Sequence, residues 1–264
     1  MGRMPEMIMR GRRFWYLDVG DGVPVLALHG VFGRASIHEP LAEILGPGYR
    51  LLALDQRGHG MSEHGGPFDR DAFVQDAAAF LDRFGPAIVY GHSLGGVNAY
   101  QLAARRPELV RALVIQDIGA VTGPPVVEQP VLDISGWPKF TRTREEFEEF
   151  FAAFPSPPYF NASLVQTPQG WRTLYDYDDM MAVQHGNVGN WWSDWLGSSC
   201  PALVLHGSES PLLPAAHARQ MLERPNTELA EFPGSGHWLH DDDPERFALV
   251  VRTFVNSVRH DGEP

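Results

Sequence analysis

The chain has 264 residues, of which 44% are hydrophobic. This length and composition are typical of one large globular domain or of a domain with an insertion. The formal net charge is −12 at pH 7. The acidic charge argues against a nucleic-acid partner and an anionic membrane surface, and no apolar run is long enough to span a bilayer. The single cysteine, Cys200, excludes an internal disulfide, and because residues 1–13 lack the apolar core of a signal peptide, we expect a cytoplasmic protein.

The first part of the chain alternates predicted strands with predicted helices. The run 23–28 is nearly all apolar, which is typical of a parallel strand covered on both faces. Predicted strands are 14–17, 23–28, 49–54, 87–90 and 110–116, and predicted helices are 39–45, 71–84 and 94–105. Strands and helices that alternate in this way indicate a parallel sheet in α/β layers.

This alternation stops at about residue 120 and resumes near residue 202. Between them, a capping box at Thr143–Glu146 precedes a helical face of phenylalanines, and further Trp, Tyr and Met side chains follow up to Trp195. The sequence therefore predicts an aromatic-rich, largely helical insertion. Predicted strands at 202–206 and 227–232 and helices at 214–222 and 243–257 then complete the core. We assign residues 1–119 and 199–264 to the core and 120–198 to the insertion.

One pentapeptide carries the strongest chemical signal. Residues 91–95 read Gly-His-Ser-Leu-Gly and match G-x-S-x-G, with an apolar strand before them and a predicted helix after them. In this strand–turn–helix context the serine lies at the point of a sharp turn, where its hydroxyl projects above the sheet. Gly91 and Gly95 allow the neighbouring backbones to approach closely. We predict that Ser93 is a nucleophile.

A serine hydroxyl is a weak nucleophile until a base removes its proton. His237 is the candidate base, because it lies in a glycine-flanked loop directly after the last predicted strand. Loops at the carboxyl ends of parallel strands carry the sites of open α/β sheets. His240 is expected to orient this histidine or to pack beside it, and His92 is expected to form a local hydrogen bond.

Acyl transfer also requires donors directed at the developing oxyanion. The backbone N–H of Leu94 lies at the start of the predicted helix, where the helix dipole adds favourable charge. The second donor is expected from the loop after Leu28. The N–H of Val31 is our choice, and Phe32 is the adjacent alternative.

Together these motifs resemble the α/β-hydrolase family. They are His29-Gly30, Asp55-x-Arg57-Gly58-His59-Gly60-x-Ser62, Gly91-His92-Ser93-Leu94-Gly95-Gly96 and Gly236-His237. The resemblance implies an α/β-hydrolase fold, with an eight-stranded, mostly parallel sheet flanked by helices and a helical cap inserted after strand 6. It also implies a Ser–acid–His triad. We expect neither a cofactor nor a metal. The 55–62 loop is usually structural in this family.

The acid of the triad is where the chain departs from this pattern. Most family members carry an aspartate after the seventh strand, where this chain has Ser210, and a serine holds no charge to stabilise an imidazolium. Glu209 lies one position early, so its use would require a rebuilt loop. Some members, haloalkane dehalogenases among them, carry the acid after the sixth strand, where Asp117 stands here. We favour Asp117, with Glu209 as the alternative.

The sequence therefore predicts a cofactor-free serine hydrolase that cleaves a carboxylic ester or lactone of a small, mostly apolar substrate through an acyl-enzyme on Ser93. Carbon–carbon bond hydrolysis of a vinylogous diketone is the enzymatic alternative. A non-catalytic protein that binds a ligand in signalling is the other alternative. We expect some aromatic side chains of the insertion to line the pocket and others to form its own core. The sequence predicts no oligomeric state.

Overall fold

The computed structural model describes residues 2–260. Its strands are β1 (Glu6–Met9), β2 (Arg12–Gly20), β3 (Val23–Leu28), β4 (Tyr49–Leu54), β5 (Ala87–His92), β6 (Val110–Gln116), β7 (Leu164–Thr167), β8 (Gly170–Thr173), β9 (Ala202–Gly207) and β10 (Thr227–Phe232). Its helices are α1 (Glu39–Leu45), α2 (Arg70–Phe84), α3 (Leu94–Arg105), α4 (Arg144–Phe151), α5 (Pro157–Asn161), α6 (Tyr177–Asn187), α7 (Trp192–Leu196), α8 (Ala215–Gln220), α9 (Leu239–Asp242) and α10 (Pro244–His260).

Eight strands form one central sheet in the order β1-β2-β4-β3-β5-β6-β9-β10. The pairs β1–β2 and β2–β4 are antiparallel, and the other pairs are parallel. The predicted mostly parallel, eight-stranded sheet is therefore confirmed. Strand β1 has no counterpart in the sequence prediction, because a four-residue edge strand with mixed exposure is too short to show a period of two.

Alternating side chains of the central strands are buried on opposite faces of the sheet, as the two-residue period of a strand requires. In β3, Leu26 and Leu28 pack in a cluster that includes side chains of α2 and α3. Val25 and Ala27 pack in a second cluster that includes side chains of α1 and α10. Burial of both faces explains why the parallel strands read as continuous apolar runs.

The segment between β6 and β9 contains α4, α5, α6 and α7 together with an antiparallel pair, β7 and β8. The pair was not predicted from the sequence, because its strands have four residues each. Phe147 and Phe151 are buried in an aromatic cluster. This cluster also includes Phe32 from the loop after β3 and Leu94 from the start of α3, next to Ser93. Within residues 2–260, no helix is both long and apolar enough to cross a membrane.

Candidate active site

Ser93 lies at a strained turn between β5 and α3. Its φ is 54° and its ψ is −120°, a conformation that costs energy for a residue with a side chain and that is concentrated at functional sites. The flanking glycines make this turn possible. A Cβ on Gly91 would lie 2.3 Å from the carbonyl oxygen of Gly95, and a Cβ on Gly95 would lie 2.0 Å from the carbonyl oxygen of Leu28. The backbones of β5, α3 and the loop after β3 therefore meet directly beneath the serine.

His237 and Asp117 form a buried pair at the carboxyl ends of the strands. The Nδ1 atom of His237 lies 2.7 Å from Oδ2 of Asp117, and the two side chains are 7% and 0% exposed. The other carboxylate oxygen of Asp117 accepts a hydrogen bond of 3.0 Å from the backbone N–H of Gly207, the last residue of β9. The alternative acid, Glu209, is exposed. Of the two candidate acids, Asp117 is therefore the one that contacts His237.

Ser210 also contacts the carboxylate of Asp117, and this contact was not predicted from the sequence. Its hydroxyl donates to Oδ2 of Asp117 and accepts from the backbone N–H groups of Leu212 at 3.1 Å and Leu213 at 3.2 Å. A hydroxyl has one proton and two lone pairs, so these contacts direct its proton at Asp117. The signal was available in the sequence, because Ser210 occupies the position where the family's acid is expected.

The loop after β3 and the start of α3 bring backbone N–H groups close to the serine. Within residues 2–260, the N–H groups of Val31, Phe32 and Leu94 donate no hydrogen bond, so none of the three is used by the fold. A Cβ on Gly30 would lie 3.0 Å from Cβ of Ser93, which shows how closely this loop approaches the serine. Val31 and Ser93 line the same cavity. Geometry supports Leu94 with either Val31 or Phe32 as the pair of donors.

The histidine before the serine makes a long-range contact and not the local one that the sequence suggested. Nε2 of His92 donates to the carbonyl oxygen of His237 at 3.1 Å, and the two ring centroids lie 4.5 Å apart. Burial lowers the pKa of His92 well below its usual value, so this ring is neutral and supports the His237 loop. His240 accepts a hydrogen bond of 3.0 Å from Nε2 of Gln116.

Ser93 and His237 open onto one cavity of about 770 Å³. The segment between β6 and β9 supplies the facing wall, which includes Val127, Tyr159 and Phe160. The aromatic side chains that sequence analysis singled out in this segment pack elsewhere, either within the aromatic cluster or against the sheet. Trp238 also lines the cavity. Among the described residues, no group of three or more His, Cys, Asp or Glu side chains is placed to hold a metal ion.

Comparison with known proteins places this geometry in context. A family model described as "Alpha/beta hydrolase family" matches residues 25–249. The chain is 26% identical over 258 residues to the sn-1-specific diacylglycerol lipase ABHD11 of Mus musculus, covering 90% of this chain and 83% of that protein. It is 26% identical over 257 residues to the 2-(acetamidomethylene)succinate hydrolase of Mesorhizobium japonicum, covering 91% and 90% of the two chains.

A solved structure of E-2-(acetamidomethylene)succinate hydrolase is similar along almost the whole chain. The TM-score is 0.90, and the similarity covers 97% of this chain and 100% of the other, at 22% sequence identity. At this identity the comparison shows a shared fold.

Proposed function

We propose that this chain, which belongs to the alpha/beta hydrolase family, is a cofactor-free serine hydrolase of carboxylic esters or lactones. Two of its relatives are named as a lipase and a hydrolase, which supports the proposal. The observation that carries the proposal is the buried Asp117–His237 pair, whose histidine lines the same cavity as Ser93. A nucleophile, a base and an orienting carboxylate in chain order Ser, Asp, His are the parts that acyl transfer requires.

In the proposed reaction, Ser93 attacks the substrate carbonyl and His237 accepts the hydroxyl proton at Nε2. Asp117 holds the other ring nitrogen in its N–H form, so that Nε2 is free to accept that proton, and its charge stabilises the imidazolium. The N–H groups of Val31 and Leu94 donate to the oxyanion. His237 returns its proton to the leaving alcohol, the acyl group stays on Ser93, and water activated by the same base releases the acid.

We propose a small, mostly apolar substrate, because the cavity wall is built largely from aliphatic, proline and aromatic side chains. A cavity of about 770 Å³ falls within the range of small-molecule sites, about 300–1,000 Å³. The succinate in the name of the Mesorhizobium relative is a dicarboxylate. We do not carry that substrate over, because no lysine or arginine lines the cavity in the part of the chain that the structure describes.

We also propose that residues 120–198 act as a cap, since side chains of this segment form the wall that faces Ser93. Substrate selection would then depend on this segment, while the sheet carries the reacting groups. A cytoplasmic location stays a prediction from the sequence.

A fluorophosphonate probe tests the proposal directly, because it reacts covalently with an activated serine. The wild-type protein should be labelled at Ser93 and should turn over short p-nitrophenyl esters, whereas Ser93→Ala should lose both properties. Ser193→Ala is the matched control, because Ser193 is exposed on α7 and does not line the cavity.

Labelling that persists in Ser93→Ala would remove Ser93 as the covalent centre. A panel of esters, lactones and ring-cleavage diketones distinguishes the reaction types. Hydrolysis of the diketones alone would replace the ester proposal by carbon–carbon bond hydrolysis. Binding without turnover of any member of the panel would indicate a non-catalytic ligand-binding protein.

A further inference from the structure

The charged side chains that line the candidate active-site cavity are all acidic or imidazole groups. Among residues 2–260, no lysine or arginine lines it. Three carboxylates do, and they belong to Asp133, Glu209 and Asp242. His92 is held neutral by the burial that lowers its pKa. In the proposed reaction His237 carries a positive charge only while it holds the proton of Ser93.

The three carboxylates stand at the exposed rim of the cavity, and backbone contacts hold two of them. Oδ2 of Asp242 accepts from the N–H of Gly236 at 2.8 Å, next to His237. Oδ1 of Asp133 accepts from the N–H of Ser135 at 2.9 Å, and this hydrogen bond lowers the pKa of Asp133. The rim is therefore negatively charged at neutral pH.

The guanidinium of Arg70 lies behind the wall, and each of its three nitrogens already donates a hydrogen bond. Nη1 of Arg70 donates to Oδ1 of Asn187, a cavity-lining residue, at 3.2 Å. Its Nε donates to Gln101, and its Nη2 donates to Asn98. Gln101 in turn donates to Oδ2 of Asp194 at 2.9 Å, so a carboxylate lies within the same network. Because Arg70 is buried and does not itself line the cavity, it offers a substrate carboxylate no direct ion pair in this conformation.

A carboxylate on the substrate would meet two separate costs here. It would approach through the negative potential of the rim, which lowers its local concentration and its association rate. Inside the cavity it would lose water without gaining a cationic partner, and burial of an unpaired charge is costly. An uncharged group meets neither cost, and an ammonium group is attracted by the rim carboxylates.

We propose that this site selects esters by charge, accepting uncharged and amine-bearing substrates and rejecting those that carry a carboxylate. The inference rests on the proposed ester hydrolysis and names the substrate class of the same site. Asp133, Glu209 and Asp242 are its specificity-determining residues, and they act on the charge of the substrate and not on the reacting carbonyl.

Three p-nitrophenyl esters of equal acyl length test the proposal. One acyl chain ends in a methyl group, one in a trimethylammonium group and one in a carboxylate. At low ionic strength, kcat/KM of the carboxylate ester should be at least about tenfold below that of the neutral ester, a ratio within the range of electrostatic effects on association. Equal or faster hydrolysis of the carboxylate ester would overturn the proposal.

Neutralising the rim identifies its contribution. The triple variant carries Asp133→Asn, Glu209→Gln and Asp242→Asn. In this variant, kcat/KM for the cationic ester divided by kcat/KM for the anionic ester should fall about threefold to tenfold. High salt should also lower this ratio in the wild-type protein, because it screens the rim charges. The matched control replaces Glu6, Glu223 and Glu228, which are exposed and do not line the cavity, by Gln. An equal fall of the ratio in both triple variants would remove the rim residues from the proposal.

A binding measurement separates this inference from the proposed function. Calorimetric titration with hexanol, hexyltrimethylammonium and hexanoate requires no turnover. Hexanoate should bind at least about tenfold more weakly than hexanol, and tighter binding of hexanoate would overturn the charge selection. Failure of all three esters to turn over would contradict ester hydrolysis, while these titrations would still decide the charge preference.

Discussion

Replacing Asp117 by Asn is the sharpest test of the proposed triad, because it keeps the shape of the side chain and removes its charge. The carboxylate is fully buried and accepts hydrogen bonds from His237, Ser210 and the backbone of Gly207. An amide has one oxygen and one NH₂ group. One of the two positions that now accept hydrogen bonds must therefore become a donor.

The structure indicates what each orientation of that amide would disturb. If its oxygen stays on the N–H of Gly207, its NH₂ group faces Nδ1 of His237 and forces the ring into the tautomer whose Nε2 is protonated. That tautomer cannot accept a proton from Ser93. The hydroxyl of Ser210, whose lone pairs are used by backbone N–H groups, also loses its acceptor. The opposite orientation leaves the N–H of Gly207 without a partner.

We expect Asp117→Asn to lower kcat by about 10³- to 10⁴-fold, since the same change in a serine protease cost about 10⁴. At 1.36 kcal/mol per tenfold, this loss equals about 4–5.5 kcal/mol of barrier. One buried donor without an acceptor should also lower the free energy of unfolding by about 1–3 kcal/mol. The variant should therefore fold, with a reduced midpoint in urea.

Two variants complete this test. Glu209→Gln should change kcat little on an uncharged ester, because Glu209 is exposed and does not contact His237 among the described residues. Ser210→Ala keeps the charge of Asp117 and removes one donor to it. We expect an intermediate loss of about tenfold in kcat, because hydrogen bonds to charged groups are worth about 1.5–3 kcal/mol.

The assay is steady-state hydrolysis of a neutral p-nitrophenyl ester, with circular dichroism to show that each variant is folded. A large loss of kcat in Glu209→Gln together with near wild-type kcat in Asp117→Asn would show that the acid is on the loop after β9. In that case our reading of the buried pair would be wrong.

The remaining predictions concern the base, the cavity and the buried histidines. The rate of acylation should rise between about pH 5 and about pH 8, where histidine side chains change charge, because only neutral His237 accepts a proton; a flat profile would argue against a histidine base. Phenylacetyl esters should exceed acetyl esters in kcat/KM by about tenfold or more, because burying an aromatic ring on apolar walls is worth about 1.5–3 kcal/mol; faster hydrolysis of small, charged esters would refute this. Burial lowers the pKa of His38 to about 3 and that of His59 to about 4, so the unfolded chain binds these protons first as the pH falls. The free energy of unfolding should then drop below about pH 6.5 by about 1.4 kcal/mol per pH unit for each such histidine. His38→Leu should show a shallower drop in urea titrations between pH 7 and pH 5, and an unchanged slope would contradict this account.

Local patterns in the sequence were sufficient to predict the parallel sheet and the turn that carries Ser93. Apolar runs bounded by glycine-rich turns predict the parallel strands, because a strand covered on both faces has no polar side to show. The G-x-S-x-G pentapeptide predicts the strained turn at Ser93, because glycine alone tolerates the backbone approach at Gly91 and Gly95. These features depend on neighbours in the chain, and a single sequence records them directly.

The insertion shows where local patterns stop being informative. Capping and helical periodicity predict α4, with Phe147 on its buried face. The same patterns do not say which aromatic side chains reach the cavity. In the structure Tyr159 and Phe160 line it, while Trp195 is buried against Tyr100 of α3. Whether an aromatic side chain faces solvent, the core or the cavity depends on how separate helices pack together. The periodicity within one helix does not determine that packing.

The arrangement around the triad acid was decided by the tertiary structure. Asp117, Ser210 and His237 follow three different strands, β6, β9 and β10, which lie side by side in the sheet. The sequence limited the acid to Asp117 or Glu209 and placed Ser210 where the family's acid is expected, but only the structure shows that the hydroxyl of Ser210 donates to Asp117 and that His92 donates to the backbone of His237. Parallel pairing brings the carboxyl ends of these strands together, and hydrogen bonds between loops so distant in the chain exist only once the sheet has formed.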